Sequence, residues 1–157
     1  MPVFKSKEII DIAIRIEKNG EAIYRDAVHQ VADNELKAAL QWMADEEARH
    51  VEWFTLLKST MQTTPGIVPD ELSSDMLASL IGDQSFSLKD VDFSQVQNVT
   101  KMVSIFIEFE NDSILFYEML IPFITQPETL ENLKQIIDEE KGHIAKLECF
   151  ADTAAAV

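Results

Sequence analysis

The chain repeats itself at one fixed distance. Glu17, Tyr24, Glu47 and His50 recur as Glu110, Tyr117, Glu140 and His143, each pair 93 residues apart. Four chemically distinctive residues keeping one offset, with no insertion between them, require both halves to present the same side chains in the same local geometry. Each half also carries Glu-x-x-His, as Glu47-Ala48-Arg49-His50 and as Glu140-Lys141-Gly142-His143. Two lone glutamates plus two Glu-x-x-His pairs form the ligand set of a carboxylate-bridged dinuclear metal site in a four-helix bundle.

The apolar periodicity agrees. A first helix is expected from about Lys7 to Val31, with Ile10, Ala13, Ile14, Tyr24, Ala27 and Val31 on one stripe and Glu17 inside it. Asp33 is placed to cap a second helix. That helix has the cleanest seam: Leu36, Leu40, Met43, Glu47, His50, Phe54 and Leu57, alternating by four and three. A third is expected over Val99 to Ile121, with Val103, Phe106, Ile107, Tyr117 and Leu120 inward, Glu110 mid-stripe, and Pro122 closing it. Thr125 and Glu128 are spaced as a capping box for a fourth. Its seam is Leu133, Ile136, Glu140, His143, Leu147 and Phe150, and the Ala-rich tail after Asp152 is expected to fray.

Between the halves, roughly residues 63–98, the repeat stops. Thr64-Pro65-Gly66 and Pro69-Asp70 signal turns, and Glu71 to Ile81 is compatible with a short helix before Gly82-Asp83. A connection this long is unusual inside a compact domain, but it fits the crossover of ferritin-like bundles. The expected architecture is therefore all-α: a single domain over 1–157, with helical hairpins at about 7–62 and 99–152 joined by a long crossover.

The residue types dictate the chemistry. Glu and His three positions apart project from one helical face and reach one ion. Carboxylate oxygen with imidazole nitrogen suits iron and manganese, and also zinc. Glu47 and Glu140 are the natural bridging carboxylates; Glu17 with His50 and Glu110 with His143 would serve one metal each. The ions would lie about 3.5–4 Å apart. A single Glu-x-x-His is weak evidence, since surface helices are rich in both residues. The doubled pattern is stronger, because four carboxylates on apolar seams need compensation that the few Lys and Arg nearby do not supply.

Tyr24 and Tyr117 lie two turns beyond their glutamates on the same face. They read equally as packed aromatics and as hydroxyls bound to a metal-ligating carboxylate that relay a proton or electron. Glu46 and Glu139, ahead of Asp45 and Asp138, lead the candidates for holding the outer ring nitrogen of a ligating histidine. His29 reads as surface, and Cys149 beside Phe150 as a small buried hydrophobe.

Composition narrows the partners. The sequence has 13 Lys and Arg against 28 Asp and Glu, a net charge of −15. That argues against nucleic acid and anionic membranes. One cysteine excludes a disulfide or Cys-x-x-Cys knuckle within the chain. With no apolar signal core and no stretch near the roughly 20 residues that span a bilayer, a cytoplasmic location is expected.

At these residues the chain resembles the rubrerythrin branch of the ferritin-like superfamily. Ile14-x-x-Glu17-x-x-Gly20-x-x-x-Tyr24 and Ile107-x-x-Glu110-x-x-Ser113-x-x-x-Tyr117 look like the family's first and third helices. Asp45-Glu46-Glu47-x-x-His50 and Asp138-Glu139-Glu140-x-x-His143 look like its second and fourth. The resemblance implies two iron ions, cycling between ferrous and ferric, that react with hydrogen peroxide or dioxygen. The expected activity is an oxidoreductase of peroxidase or ferroxidase type; iron storage, hydroxylation of an organic substrate and a metal-stabilised structural bundle are the alternatives. A homo-oligomer, most simply a dimer, is the expected assembly. Two departures matter. With Cys149 alone, the four-cysteine rubredoxin site of typical rubrerythrins has no counterpart here, so electrons must come from an external donor such as a rubredoxin-type protein. The family's extra third-helix glutamate is replaced by Ser113, whose repeat mate is Gly20; the expectation is a more symmetric site, with small residues leaving room beside the metals.

Overall fold

The computed structural model describes residues 3–61, 71–73 and 99–155. In chain order these form β1 (Val3–Lys5), α1 (Ser6–Val28), α2 (Asn34–Thr60), β2 (Glu71–Ser73), α3 (Val99–Leu120) and α4 (Pro127–Ala155). α1 packs against α2 and α3 against α4, giving two helical hairpins, and α2 also meets α4. At about 1.5 Å per residue, α2 is roughly 40 Å long, so its midpoint lies deep in the bundle. Glu47 and His50 occupy that midpoint. Among the described residues no helix is long and apolar enough to cross a membrane.

Helix ends follow local chemistry. α1 stops at Val28, three residues short of the expected end. His29 and Gln30 form a turn, their amides donating to the carbonyls of Asp26 and Ala27. Asp33 then caps α2 as expected, its Oδ1 accepting from the Leu36 amide at 2.8 Å. α3 ends at Leu120, and Ile121–Phe123 tighten into one 3-10 turn around Pro122. The capping residue of α4 is one place later than expected. Gln126, not Thr125, accepts from the Thr129 amide through Oε1 at 3.2 Å, because Pro127 takes the first helical position. The tail does not fray at Asp152: α4 continues to Ala155.

The expected short helix over Glu71–Ile81 is overturned at its start. Glu71–Ser73 pair antiparallel with Val3–Lys5, in the register Val3↔Ser73, Phe4↔Leu72 and Lys5↔Glu71. An available strand partner outweighs the weak local helical preference of so short a segment. The rest of that helix, and the rest of the crossover, lie outside the described residues.

The core runs along the inner stripes of all four helices. Ile9, Ile10, Ala13, Leu36, Leu40, Met43, Phe54, Val103, Phe106 and Leu147 are all buried. Ile14, Leu57 and Ile107 are only partly buried, at the edges of the expected stripes. Phe109 and Phe116 are buried too. The hairpins interlock through aromatic pairs. Phe106 of α3 meets Tyr24 of α1 edge-on at 5.0 Å, and Phe54 of α2 stacks on Tyr117 of α3 at 5.4 Å. Cys149 is exposed, contrary to the buried reading. Leu147 and Phe150 take the inner side of that turn, and a residue two positions after Leu147 points about 200° away.

Candidate metal centre

All six residues expected as ligands converge at the bundle's middle. Glu17, Glu47, Glu110, Glu140 and His143 are fully buried, and His50 nearly so. Glu17 comes from α1, Glu47 and His50 from α2, Glu110 from α3, Glu140 and His143 from α4. They form two overlapping clusters, one of Glu17, Glu47, His50 and Glu140, the other of Glu47, Glu110, Glu140 and His143. Within each cluster one ligand atom per residue lies within 4.8 Å of all the others. Glu47 and Glu140 belong to both.

The histidines point Nδ1 inward. His50 Nδ1 lies 3.0 Å from Glu140 Oε1 and 3.2 Å from Glu17 Oε2. His143 Nδ1 lies 3.2 Å from Glu47 Oε1 and 3.3 Å from Glu110 Oε1. Their outer nitrogens are held by carboxylates from the opposite hairpin. His50 Nε2 meets Glu139 Oε2 at 2.7 Å, and His143 Nε2 meets Glu46 Oε2 at 2.5 Å. A carboxylate accepts, so Nε2 carries a hydrogen; without metal the protonated ring also donates from Nδ1 to the inner oxygens, and losing that proton frees the Nδ1 lone pair for an ion. Arg49 Nη2 steadies Glu46 at 3.0 Å, and Gln135 Nε2 donates to Glu139 at 3.3 Å. Asp45 instead pairs with Arg25 at 3.2 Å, and Asp138 and His29 are exposed.

The tyrosines also cross between hairpins. Tyr24 donates its hydroxyl to Glu110, and Tyr117 donates to Glu17. Burial, reinforced by those carboxylates, pushes both hydroxyls well above their ordinary pKa, so they remain protonated donors.

The electrostatics describe a site built for cations. Burial first, and then the neighbouring carboxylates, push Glu47 and Glu140 well above the usual carboxylate range. Burial would raise Glu17 as well, but the neighbouring Glu47 carboxyl, hydrogen bonds with His50 and Tyr117, and the attraction of His50 outweigh it and leave its pKa lowered. Burial works against a charged His50, yet Glu17 and Glu139 push its pKa up to about 9. His143 is raised likewise, with Glu110 and Glu46 overcoming burial.

A pair of divalent ions fits this donor set. Both oxygens of Glu47, both of Glu140 and Glu110 Oε2 are buried without a hydrogen-bond partner; among the described residues only the amide nitrogen of Asn19 shares that condition. Leaving such atoms unpaired is costly. Four carboxylates balance two divalent charges, and two imidazole lone pairs complete the donors.

The expected room beside the metals is absent at Gly20. A methyl group there would meet Phe109 Cε1 at 3.0 Å and Glu47 Oε2 at 3.2 Å. Glycine lets the phenyl edge and the carboxylate close in. Ser113, its buried repeat mate, turns its hydroxyl to the Phe109 carbonyl at 3.0 Å. Sequence reasoning passed over Trp42, whose ring lies edge-on to His143 at 5.3 Å. Trp42 is 45% exposed and outside the apolar seam, so no periodic signal marked it.

A bundle of two hairpins with a shared carboxylate and histidine centre defines the ferritin-like class of carboxylate-bridged dimetal proteins. The chain is similar in structure to a Thermotoga maritima protein provisionally described as a ferritin-like diiron-carboxylate protein: TM-score 0.77 and 25% identity, covering 97% of each chain. No curated protein matches it. A sequence model of the rubrerythrin family matches residues 8–150, and the chain belongs to that family.

Proposed function

We propose that this protein is a non-haem di-iron oxidoreductase that reduces hydrogen peroxide or dioxygen, or oxidises ferrous iron, in a reducing compartment such as the cytoplasm. The observation that carries this reading is the pair of buried clusters sharing Glu47 and Glu140, whose oxygens make no well-formed hydrogen bond and meet only imidazoles and acids of the same site. Glu17 and His50 would hold one ion, Glu110 and His143 the other, with Glu47 and Glu140 common to both. Bound iron would supply the electrons, each ion passing between ferrous and ferric.

The chain's own residues do the rest. Glu139 and Glu46 hold each imidazole with Nδ1 inward. Tyr24 and Tyr117 hold one oxygen of Glu110 and of Glu17, and keep a proton beside each carboxylate. The buried aromatics around them, Phe54 and Phe106, keep water away from those hydroxyls. These 157 residues hold a single cysteine, so electrons would reach the site from outside this domain, from a rubredoxin-type protein or a small thiol or flavin donor.

The test is ferrous loading without oxygen, followed by rapid mixing with peroxide or dioxygen. About two irons per chain are expected, the number of ligand clusters. Rapid oxidation should follow, and it should be lost in Glu47→Ala and in Glu140→Ala. No stoichiometric iron, or bound iron inert to both oxidants, overturns the reading. The faster oxidant separates a peroxide reductase from a ferroxidase.

A further inference from the structure

The 93-residue repeat makes Trp42 of α2 and Gln135 of α4 equivalent, yet they treat the two histidines differently. Trp42 lies against the His143 ring. The cavity on that face is walled by Glu35, Ala38, Ala39, Trp42, Lys146 and Phe150, and includes neither His143 nor Glu46. On the other face the shorter Gln135 leaves an open pocket of about 130 Å³ whose wall does include His50 and Glu139, together with Arg49 and Trp53. A water takes up about 30 Å³, so a small hydrated solute fits. The outer carboxylates differ in the same sense: the Glu139 side chain is 21% exposed and that of Glu46 10%. His143 is fully buried, while His50 retains slight exposure.

Resting on the dimetal reading above, we propose that the pocket at Gln135 is the entry and exit route for divalent cations, and that Trp42 closes the repeat-related route. Glu139 is the carboxylate at its mouth, in a chain whose net charge of −15 attracts cations. Arg49, the cation of that wall, is offset by its contact with Glu46. The position served by Glu17 and His50 therefore exchanges quickly, and the position served by Glu110 and His143 exchanges slowly. Two sites with the same ligands differ through one residue that touches neither ion.

Cobalt(II) is a suitable probe, since its visible absorption reports bound metal independently of activity. Protein loaded with cobalt is mixed with excess chelator and the loss of absorption is followed. The parent should release its ions in two phases. Gln135→Trp should slow the fast phase about tenfold, and Trp42→Gln should speed the slow phase about tenfold, each a change of roughly 1.4 kcal/mol in barrier. Both positions are exposed and outside the apolar seams, and binding of two cobalt ions by each variant, checked first, shows that the ligands remain in place. Release in one phase, a fast phase unchanged in Gln135→Trp, or a slow phase unchanged in Trp42→Gln overturns the proposal while two ions still bind. Failure of the parent to bind two ions removes the dimetal reading, and the route with it.

Discussion

Tyr24 on α1 donates its hydroxyl to Glu110 on α3, 86 residues later in the chain and in the other hairpin. The bond ties together two residues that each half of the repeat could have kept to itself. Tyr24→Phe removes the donor and leaves Glu110 Oε1 with only the longer contact to His143 Nδ1 at 3.3 Å. The metal-free variant should lose about 1–3 kcal/mol of stability. Denaturant unfolding of metal-free protein checks this. Unchanged stability would mean the hydroxyl serves chemistry alone.

The histidines and shared glutamates make metal-free stability fall as pH rises. His50 has its pKa raised from 6.5 to about 9, so its contribution is complete below pH 6.5 and disappears through about 9. Glu47 and Glu140 are raised as well and act in the same direction from lower pH. The His50 part is on the order of 3 kcal/mol. Metal replaces these protons, so loaded protein should escape the decline. Melting temperatures of both forms from pH 6 to pH 9 should diverge, and loading should release protons in calorimetry run in two buffers. A metal-free curve flat across that range would refute the assignment.

Glu46 and Glu139 each hold a histidine of the opposite hairpin. Glu46→Gln and Glu139→Gln should each weaken metal binding about 10–100-fold. Competition against a chelator of known affinity measures this. An unchanged affinity would show that packing alone fixes the imidazoles.

Gly20→Ala has opposing effects. Alanine favours a helix interior over glycine by about 1 kcal/mol. Its methyl group would also crowd Phe109 and the Glu47 carboxylate. Metal-free stability should therefore change by less than about 1 kcal/mol. Metal affinity should fall, because Glu47 serves both clusters. An alanine variant that binds metal as tightly as the parent would show that Glu47 moves freely.

The ligand set was legible because it is written twice, and because acids on an apolar seam are conspicuous in any periodic reading. Glu47 and His50 could be placed from Leu40, Met43 and Phe54 alone. The partners of Tyr24 and Glu46 could not, since they lie across the bundle and no spacing along the chain encodes them. Cys149 was misread for a different reason: proximity to Phe150 in sequence says little when successive helical residues point about 100° apart. The cap of α4 was missed by one residue, because Pro127 fits the first helical position better than the second. The strand at Glu71–Ser73 depends on Val3–Lys5, a pairing that only the folded chain supplies.

The exchanged bonds have a consequence for how the chain can come together. Each hairpin keeps its tyrosine donor and its outer carboxylate for use by the other, so a hairpin alone would hold acids and imidazoles with their partners missing. Neither half can be finished before the other arrives. Two copies of one such hairpin would bring the same donors and acceptors to each other, since the tyrosine, the outer glutamate and the ligands recur in both halves. The chain thus carries both members of such a pair in one polypeptide.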